Sequence, residues 1–164
     1  LKRFRFIHIL SPSLADIFII KITEDCIRYI LKYLVDNLTI IIKDKKGGFN
    51  DISLLAIMKA FDDKYSREDV WYSVYNLSQD RFIDTNDIRK HSLDGFAFVE
   101  IYNVTHRGHQ FYESIQPETI WNKTKSIVSK VGVHTLGFIE GVAHDVAIES
   151  AKQAVTIMMT QQPQ

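Results

Sequence analysis

The sequence predicts an α+β, mostly helical protein in which a winged-helix-like domain is followed by C-terminal helices. Three observations lead to this prediction. Apolar residues recur at helical spacing in several capped segments, short β-branched runs lie between them, and the segments follow the order helix, strand, helix, helix, strand, loop, strand. In a winged helix with this order, the third helix is the usual groove reader, and the loop between the last two strands is the wing.

Three helices in the first half of the chain are predicted from a capping residue followed by apolar residues at helical spacing. The third of them begins with a variant of the capping box, because Asp69 follows Ser66 by three residues. The helices and their capping residues are 24–36 with Thr23, 51–61 with Asn50, and 67–79 with Ser66.

Runs of β-branched and aromatic residues predict three strands. Residues 38–43 are expected to form a buried strand, and the lysine- and glycine-rich stretch after it a flexible, solvated loop. Residues 82–84 and 96–104 are expected to be the last two strands, joined by a polar connector that carries Arg89 and Lys90.

The rest of the chain is predicted to be helical. Thr105 caps a fourth helix that reaches Ile115, and Pro117 sits where a proline is tolerated in the first turn of a fifth helix. Gly132 ends that helix near Val131. A last amphipathic helix is expected over residues 138–159.

These elements divide the chain into three parts: an N-terminal extension at 1–20, the winged-helix-like domain at 21–116, and a C-terminal helical region at 117–164. The extension resembles a crude signal peptide, but Ser11-Pro12-Ser13 interrupts its apolar region. Because the chain begins at Leu1 and not at a methionine, a truncated or processed product is one interpretation.

The composition is that of an ordinary globular domain, with 46% apolar and 24% charged residues. Twenty basic residues balance 20 acidic ones, so no global field steers the chain toward a polyanion. The single cysteine, Cys26, excludes an intrachain disulfide and suits a reducing cytosol, where we expect a buried thiol. No apolar run is long enough for a membrane-spanning helix, and no membrane partner is expected.

The sequence contains no recognised pattern of catalytic residues, and we expect neither enzymatic activity nor a cofactor. His106 and His109 have a spacing that can share a metal, but no accompanying ligand motif is present, so a core histidine is the preferred interpretation of His109. No metal site is predicted. Trp121 is expected to anchor the fifth helix against the preceding domain.

Two segments carry a resemblance to a known family: T-x-x-G-H-x-F, with Thr105, Gly108, His109 and Phe111, and W-N-K-T-K, which runs from Trp121 to Lys125. From about Ile22 to the last helix, roughly seven-eighths of the chain, the sequence resembles an uncharacterised family of small phage, prophage and bacterial proteins described as a domain of unknown function. The resemblance implies a winged-helix-like fold and a phage or mobile-element setting. It assigns no catalytic or binding residue.

The third helix is the candidate nucleic-acid reader. Its outward face carries Tyr72, Asn76 and Gln79, and the amides of Asn and Gln can pair bidentately with adenine. Arg89 and Lys90 on the wing would contribute phosphate contacts, together with the lysines near residue 45. Glu68 and Asp69 oppose this reading, and residues 21–116 carry 13 basic against 15 acidic side chains. A simply solvated face is the alternative.

The last helix is the candidate for self-association. Ala143, Ala147 and Ala151 recur every four residues, and small residues at that spacing let helices approach closely. One alternative is that this helix packs on the fifth helix or on its own domain. A second is that it pairs with its copy in a second chain. A third is association with a membrane surface, which the acidic polar face of the helix disfavours.

Two functions follow from these features. The first is a phage or mobile-element regulator, cytoplasmic and non-enzymatic, that binds DNA as a dimer. The second is a protein-interaction module that uses the same scaffold to bind or inhibit a host or phage assembly, without nucleic acid. The order of the predicted helices and strands favours the first function, and the negative charge of the third helix favours the second.

Overall fold

A computed structural model describes residues 22–38, 40–43, 46–86, 88 and 98–160 of the chain. Within these ranges the protein is α+β and mostly helical, with six α-helices and five short strands. In chain order the elements are α1 (Glu24–Asn37), β1 (Ile40–Lys43), β2 (Lys46–Phe49), β3 (Ile52–Ser53), α2 (Leu54–Ala60), α3 (Arg67–Gln79), β4 (Ile83–Thr85), β5 (Glu100–Val104), α4 (His106–Ile115), α5 (Glu118–Val131) and α6 (Leu136–Thr160).

A three-stranded antiparallel sheet has the strand order β3-β5-β4. Ile52 pairs with Ile101 on one side of β5, and Ile83 pairs with Val104 on the other, with a bulge between Asp84 and Thr85. The predicted pairing of the last two strands is therefore confirmed. Asn86 directly follows β4, and its side chain binds the backbone around the start of β5. Its side-chain oxygen accepts a hydrogen bond from the Glu100 amide at 3.1 Å, and its side-chain amide donates to the Phe98 carbonyl.

The predicted strand at 38–43 exists as β1, but its partner differs from the expectation. It pairs with β2 in a separate hairpin, so the stretch predicted as a flexible loop contains a strand. The register places Ile41 opposite Gly48 and Lys43 opposite Lys46, which leaves two residues to connect the strands. Two-residue connections are the commonest in hairpins, and this local pairing takes β1 away from the three-stranded sheet.

The predicted helix at 51–61 also needs correction. Ile52 and Ser53 form β3 on the edge of β5, and α2 begins only at Leu54. Ser53 is the N-cap, since its hydroxyl accepts a hydrogen bond from the Ala56 amide at 3.2 Å, whereas Asn50 donates to the Asn37 carbonyl. Strand pairing with β5 therefore overrides the local helical pattern in this segment.

One hydrophobic core joins the helices to the sheet. It is lined by Leu31 and Leu34 of α1, Val74 and Leu77 of α3, and Ile101 of β5, all fully buried. Cys26 belongs to the same core as expected, and burial raises the pKa of its thiol to about 11. In the described ranges, no helix combines the length and apolarity that crossing a bilayer requires.

The C-terminal helices extend this core beyond residue 116. The α5 helix begins after Pro117 and ends at Gly132, whose φ of 76° is the left-handed conformation that terminates many helices. The α6 helix packs on α5 and α4, with Leu136, Ile139 and Ala143 buried. Residues 151–160 of α6 are exposed on all sides.

Candidate nucleic-acid interface

The third helix is the predicted reader, and the structure places its residues on a partly exposed face. Gln79 is exposed, whereas Tyr72 and Asn76 are half-buried. The Asn76 amide donates to the Tyr72 carbonyl at 2.7 Å, which holds this side chain along its own helix. Beside this face, Trp71 and Tyr75 stack with ring centroids 5.3 Å apart. The other two predicted contact residues, Arg89 and Lys90, lie outside the described residues.

The acidic residues at the start of α3 have different roles. Asp69 completes the helix cap, since its amide donates to the Ser66 hydroxyl oxygen at 3.1 Å and its carboxylate accepts from that hydroxyl at 2.7 Å. A carboxylate in this position also interacts favourably with the positive end of the helix dipole. Glu68 is exposed beside it and has no such structural role. Both carboxylates oppose phosphate binding on this turn, and Glu68 is the more exposed of the two.

A groove of about 650 Å³ lies beyond the end of α3 and brings together residues that the sequence analysis did not combine. Arg81 and His106 are exposed on its walls, and Arg81 has a left-handed backbone with φ of 59°. Arg107 also lines the groove, but its guanidinium binds Glu140 and donates to the Asp80 carbonyl at 2.7 Å. The signal that could have found Arg81 is its position directly after the predicted reader helix.

The preferred interpretation of His109 as a core residue is wrong. His109 is exposed, and the buried residue of that turn is its neighbour Gly108. The helical spacing of α4 places Gly108, Phe111 and Ile115 on the inner face, which directs His109 to solvent. The described side chains contain no cluster of three His, Cys, Asp or Glu residues that could hold a metal ion.

Comparison with known families identifies the chain. A family model described as "Hypothetical protein (DUF2513)" matches residues 21–134. The chain belongs to the DUF2513 family. No curated protein and no solved structure matches it. The DUF2513 match begins where the resemblance was expected to begin, but it ends at residue 134, before α6.

The first segment that carried the resemblance has a structural explanation within the DUF2513 match. The Thr105 hydroxyl accepts from the Gly108 amide at 3.1 Å and donates to the Arg81 carbonyl at 2.8 Å, so one side chain caps α4 and ties it to β4. Phe111 packs against Phe82 with ring centroids 5.2 Å apart. These residues hold α4 against the sheet.

The second segment anchors α5 to α1. Trp121 is fully buried, as predicted, and its indole N–H donates to the Asp25 carboxylate at 2.6 Å. Lys125, one turn later, forms an ion pair with the same carboxylate at 2.9 Å. Arg28 also forms an ion pair with Glu118 at 2.8 Å, and the Glu24 carboxylate is hydrogen-bonded to the His134 ring at 2.7 Å. The W-N-K-T-K segment is therefore a docking element between helices.

Asp25 makes this anchor sensitive to acid. Burial by itself would raise the pKa of the Asp25 carboxyl, but hydrogen bonds from Lys125 and Trp121, with the charges of Lys125 and Arg28, outweigh burial and hold the pKa below 3.8. The stabilisation by ionised Asp25 is then fully present above pH 3.8 and is lost as the pH falls through the lower folded-state pKa.

We therefore expect Asp25→Asn to destabilise the protein most at neutral pH. The difference in free energy of unfolding between wild type and Asp25→Asn should shrink as the pH is lowered from about 6 to about 2. Urea denaturation followed by circular dichroism at several pH values measures this difference. A difference that stays constant across this interval would contradict the role assigned to the Asp25 charge.

The alanines proposed for self-association do not share one environment. Ala143 is buried in its own chain, Ala147 is half-buried, and Ala151 is exposed. The first half of α6 therefore packs on its own domain, and the second half remains accessible to another chain.

Proposed function

We propose that this protein is a non-enzymatic nucleic-acid-binding regulator of the phage or mobile-element type, which acts as a dimer and uses α3 as the reader on a winged-helix scaffold. The observation that carries the proposal is the topology of the sheet. The β3 strand precedes α2 and α3, and β4 and β5 follow them, with β5 between the other two strands. This is the order expected of a winged helix, with the connection from β4 to β5 as the wing.

Basic residues supply the electrostatic part of the proposal. The Arg81 guanidinium is exposed beside the end of α3, in a groove that is also lined by the Asp84 carboxylate. Lys43 and Lys46 are register partners at the end of the β1-β2 hairpin, and Arg89 and Lys90 lie between β4 and β5 in the chain. Phosphate contacts dominate the affinity of DNA-binding proteins, and their contribution falls as salt rises. Because Glu68 lies in the first turn of α3, we expect weak binding that weakens further as salt rises.

The charge of Glu68 provides the test. If α3 lies against a duplex, Glu68→Lys should tighten binding of a mixed-sequence duplex by roughly three- to tenfold at about 50 mM salt, because a repulsion becomes a phosphate contact. Fluorescence anisotropy at about 50 and 200 mM salt measures the affinity and its salt dependence. Glu113→Lys makes the same charge change at an exposed position of α4 and is the matched control.

The outcomes of this titration are distinct. Tightening by Glu68→Lys that clearly exceeds that of Glu113→Lys supports α3 as the contact surface. Equal effects of the two variants would remove α3 from the interface. Absence of duplex binding by the wild-type protein at about 50 mM salt would rule out the nucleic-acid function.

A protein-interaction module is the second candidate function, and an aromatic surface between α1 and the α2-α3 connection favours it. Tyr33 meets Phe61 edge-on with ring centroids 5.7 Å apart, and Tyr29 lies 6.3 Å from Tyr65. The ammonium group of Lys64 stands 3.4 Å above the centre of the Tyr29 ring. Partly exposed tyrosines are enriched at protein interfaces. If the wild-type protein binds no duplex in the titration above, this aromatic surface becomes the leading candidate for contact with a protein partner.

A further inference from the structure

The end of α6 exposes more apolar surface than any other described part of the chain. Met158 and Met159 are 72% and 75% exposed, the highest values among the large apolar side chains that the structure describes. Val155 and Ile157 are also about half exposed, at 50% and 54%. Residues 151–160 include one charged side chain, Lys152. A helix this apolar on its outer surface calls for a partner surface.

The apolar character of one flank of α6 changes along the helix. At about 100° per residue, Glu140 and His144 lie on the flank beside the buried stripe in the first half of α6. On the second half, the same flank carries Ile148, Ala151, Val155 and Met158, which we call the terminal face. The terminal face therefore begins at Ile148, beside the stripe that packs on α5. Ile157, about five turns after buried Ile139, continues that stripe and is not part of the terminal face.

We propose that the terminal face is a homodimer interface in which two α6 helices pack antiparallel about a two-fold axis near residue 153. The spacing of the four residues supports this arrangement. An antiparallel pair centred there places Ile148 opposite the partner's Met158, and Ala151 opposite the partner's Val155. A small residue thus faces a larger one at the centre, which allows close approach of the helices without a void. The surface is self-complementary, as a two-fold interface requires.

The charge distribution also fits a second copy. The terminal face has no charged residue, so its burial desolvates no ion. Glu149 and Thr156 lie on the far side of the helix, whereas Lys152 lies about 40° around the helix from Ile148 and borders the face, where its ammonium group stays in water at the rim of the dimer. Asp145 and Glu149 on that polar side outnumber Lys152, and an anionic lipid surface would repel them.

The available area sets the expected affinity. Ile148, Val155 and Met158 are 41%, 50% and 72% exposed, so the terminal face provides on the order of 700 Å² of buried surface for two copies together, the size of a weak, transient interface. We therefore expect a dissociation constant of about 10 µM. This inference identifies the interface of the dimer in the proposed function. Its test contains no nucleic acid, so it can succeed or fail independently of duplex binding.

Sedimentation equilibrium of the full chain tests the interface. The wild-type chain, 19.0 kDa, should approach twice its mass at about 100 µM and return toward the monomer mass on dilution to about 0.1 µM. Val155→Glu should shift the midpoint of dimerisation at least tenfold toward higher concentration. Thr156→Glu introduces the same charge at the adjacent residue on the polar side, and it should leave the dimer unchanged. Circular dichroism checks that both variants keep the helical content of the wild type.

Three results would overturn the proposal. The first is a wild-type chain that stays monomeric at about 100 µM. The second is a dimer that Val155→Glu and Thr156→Glu weaken equally, since this would show no preference for the terminal face. The third comes from hydrogen exchange of residues 151–160: protection in the monomer, at a concentration too low for dimers, would show that another part of the same chain covers the terminal face.

Discussion

Trp121→Ala is expected to destabilise the protein by about 3–5 kcal/mol, a large share of the stability of an ordinary domain. The Trp121 side chain is fully buried, so its truncation leaves a cavity between α5 and the helices around it. It also removes the indole hydrogen bond to Asp25, which is 2.6 Å long. Urea denaturation at pH 7, followed by circular dichroism, measures the change in free energy of unfolding.

Two further substitutions make the result specific. Trp121→Phe keeps most of the apolar volume but not the N–H donor, and should cost less than Trp121→Ala. Ile127→Ala, at a residue of the same helix that is 39% exposed, should cost under about 1 kcal/mol. If Trp121→Ala were as mild as Ile127→Ala, Trp121 would not be the anchor of α5.

Gly108→Ala is expected to destabilise the protein by about 3 kcal/mol or more, a large effect for the addition of one methyl group. A Cβ atom at residue 108 would lie 2.1 Å from the Phe82 carbonyl oxygen and 2.8 Å from a methyl carbon of Val104. The carbonyl is backbone and accepts a hydrogen bond from the Thr105 amide at 3.0 Å, so it cannot move without disturbing the start of α4.

The matched control is the same substitution at Gly141, on the exposed surface of α6. A Cβ atom there would meet no atom within 4 Å. Because alanine is favoured over glycine inside helices, Gly141→Ala should stabilise the protein by about 0.5–1 kcal/mol. Chemical denaturation of the two variants should therefore give changes of opposite sign. A neutral Gly108→Ala variant would show that α4 does not lie as close to β4 as described.

These two predictions concern residues of the segments that suggested the family. Gly108 permits the approach of α4 to the sheet, and Trp121 and Lys125 join α5 to α1 through Asp25. Gly108, Trp121 and Lys125 of this DUF2513 chain therefore have structural roles. The candidates for partner contact in the proposed function are the face of α3, the groove beside it and the terminal face of α6.

Helices with strong local signals were predicted well. Ser66 and Thr105 accept the hydrogen bonds of their helix caps, and Gly132 ends α5 in the left-handed conformation. The segment at 51–61 was predicted less well. Ile52 and Ser53 directly precede α2 in the chain, but they pair with β5, which is distant in sequence. The burial of His109 was predicted wrongly for a similar reason. The face of α4 that packs on the sheet is set by the close approach of Gly108 to Phe82, which the local sequence does not show.

The sequence by itself determined the α+β class, the caps of α3 and α4, the end of α5, the pairing of the last two strands and the burial of Trp121, because these depend on local hydrogen bonds and on the periodicity of apolar residues. Only the tertiary structure decided which strand joins β5, which turn of α4 approaches Phe82, and where α6 ceases to be covered. Each of these depends on contacts between residues far apart in the chain, whose free energies local patterns do not contain.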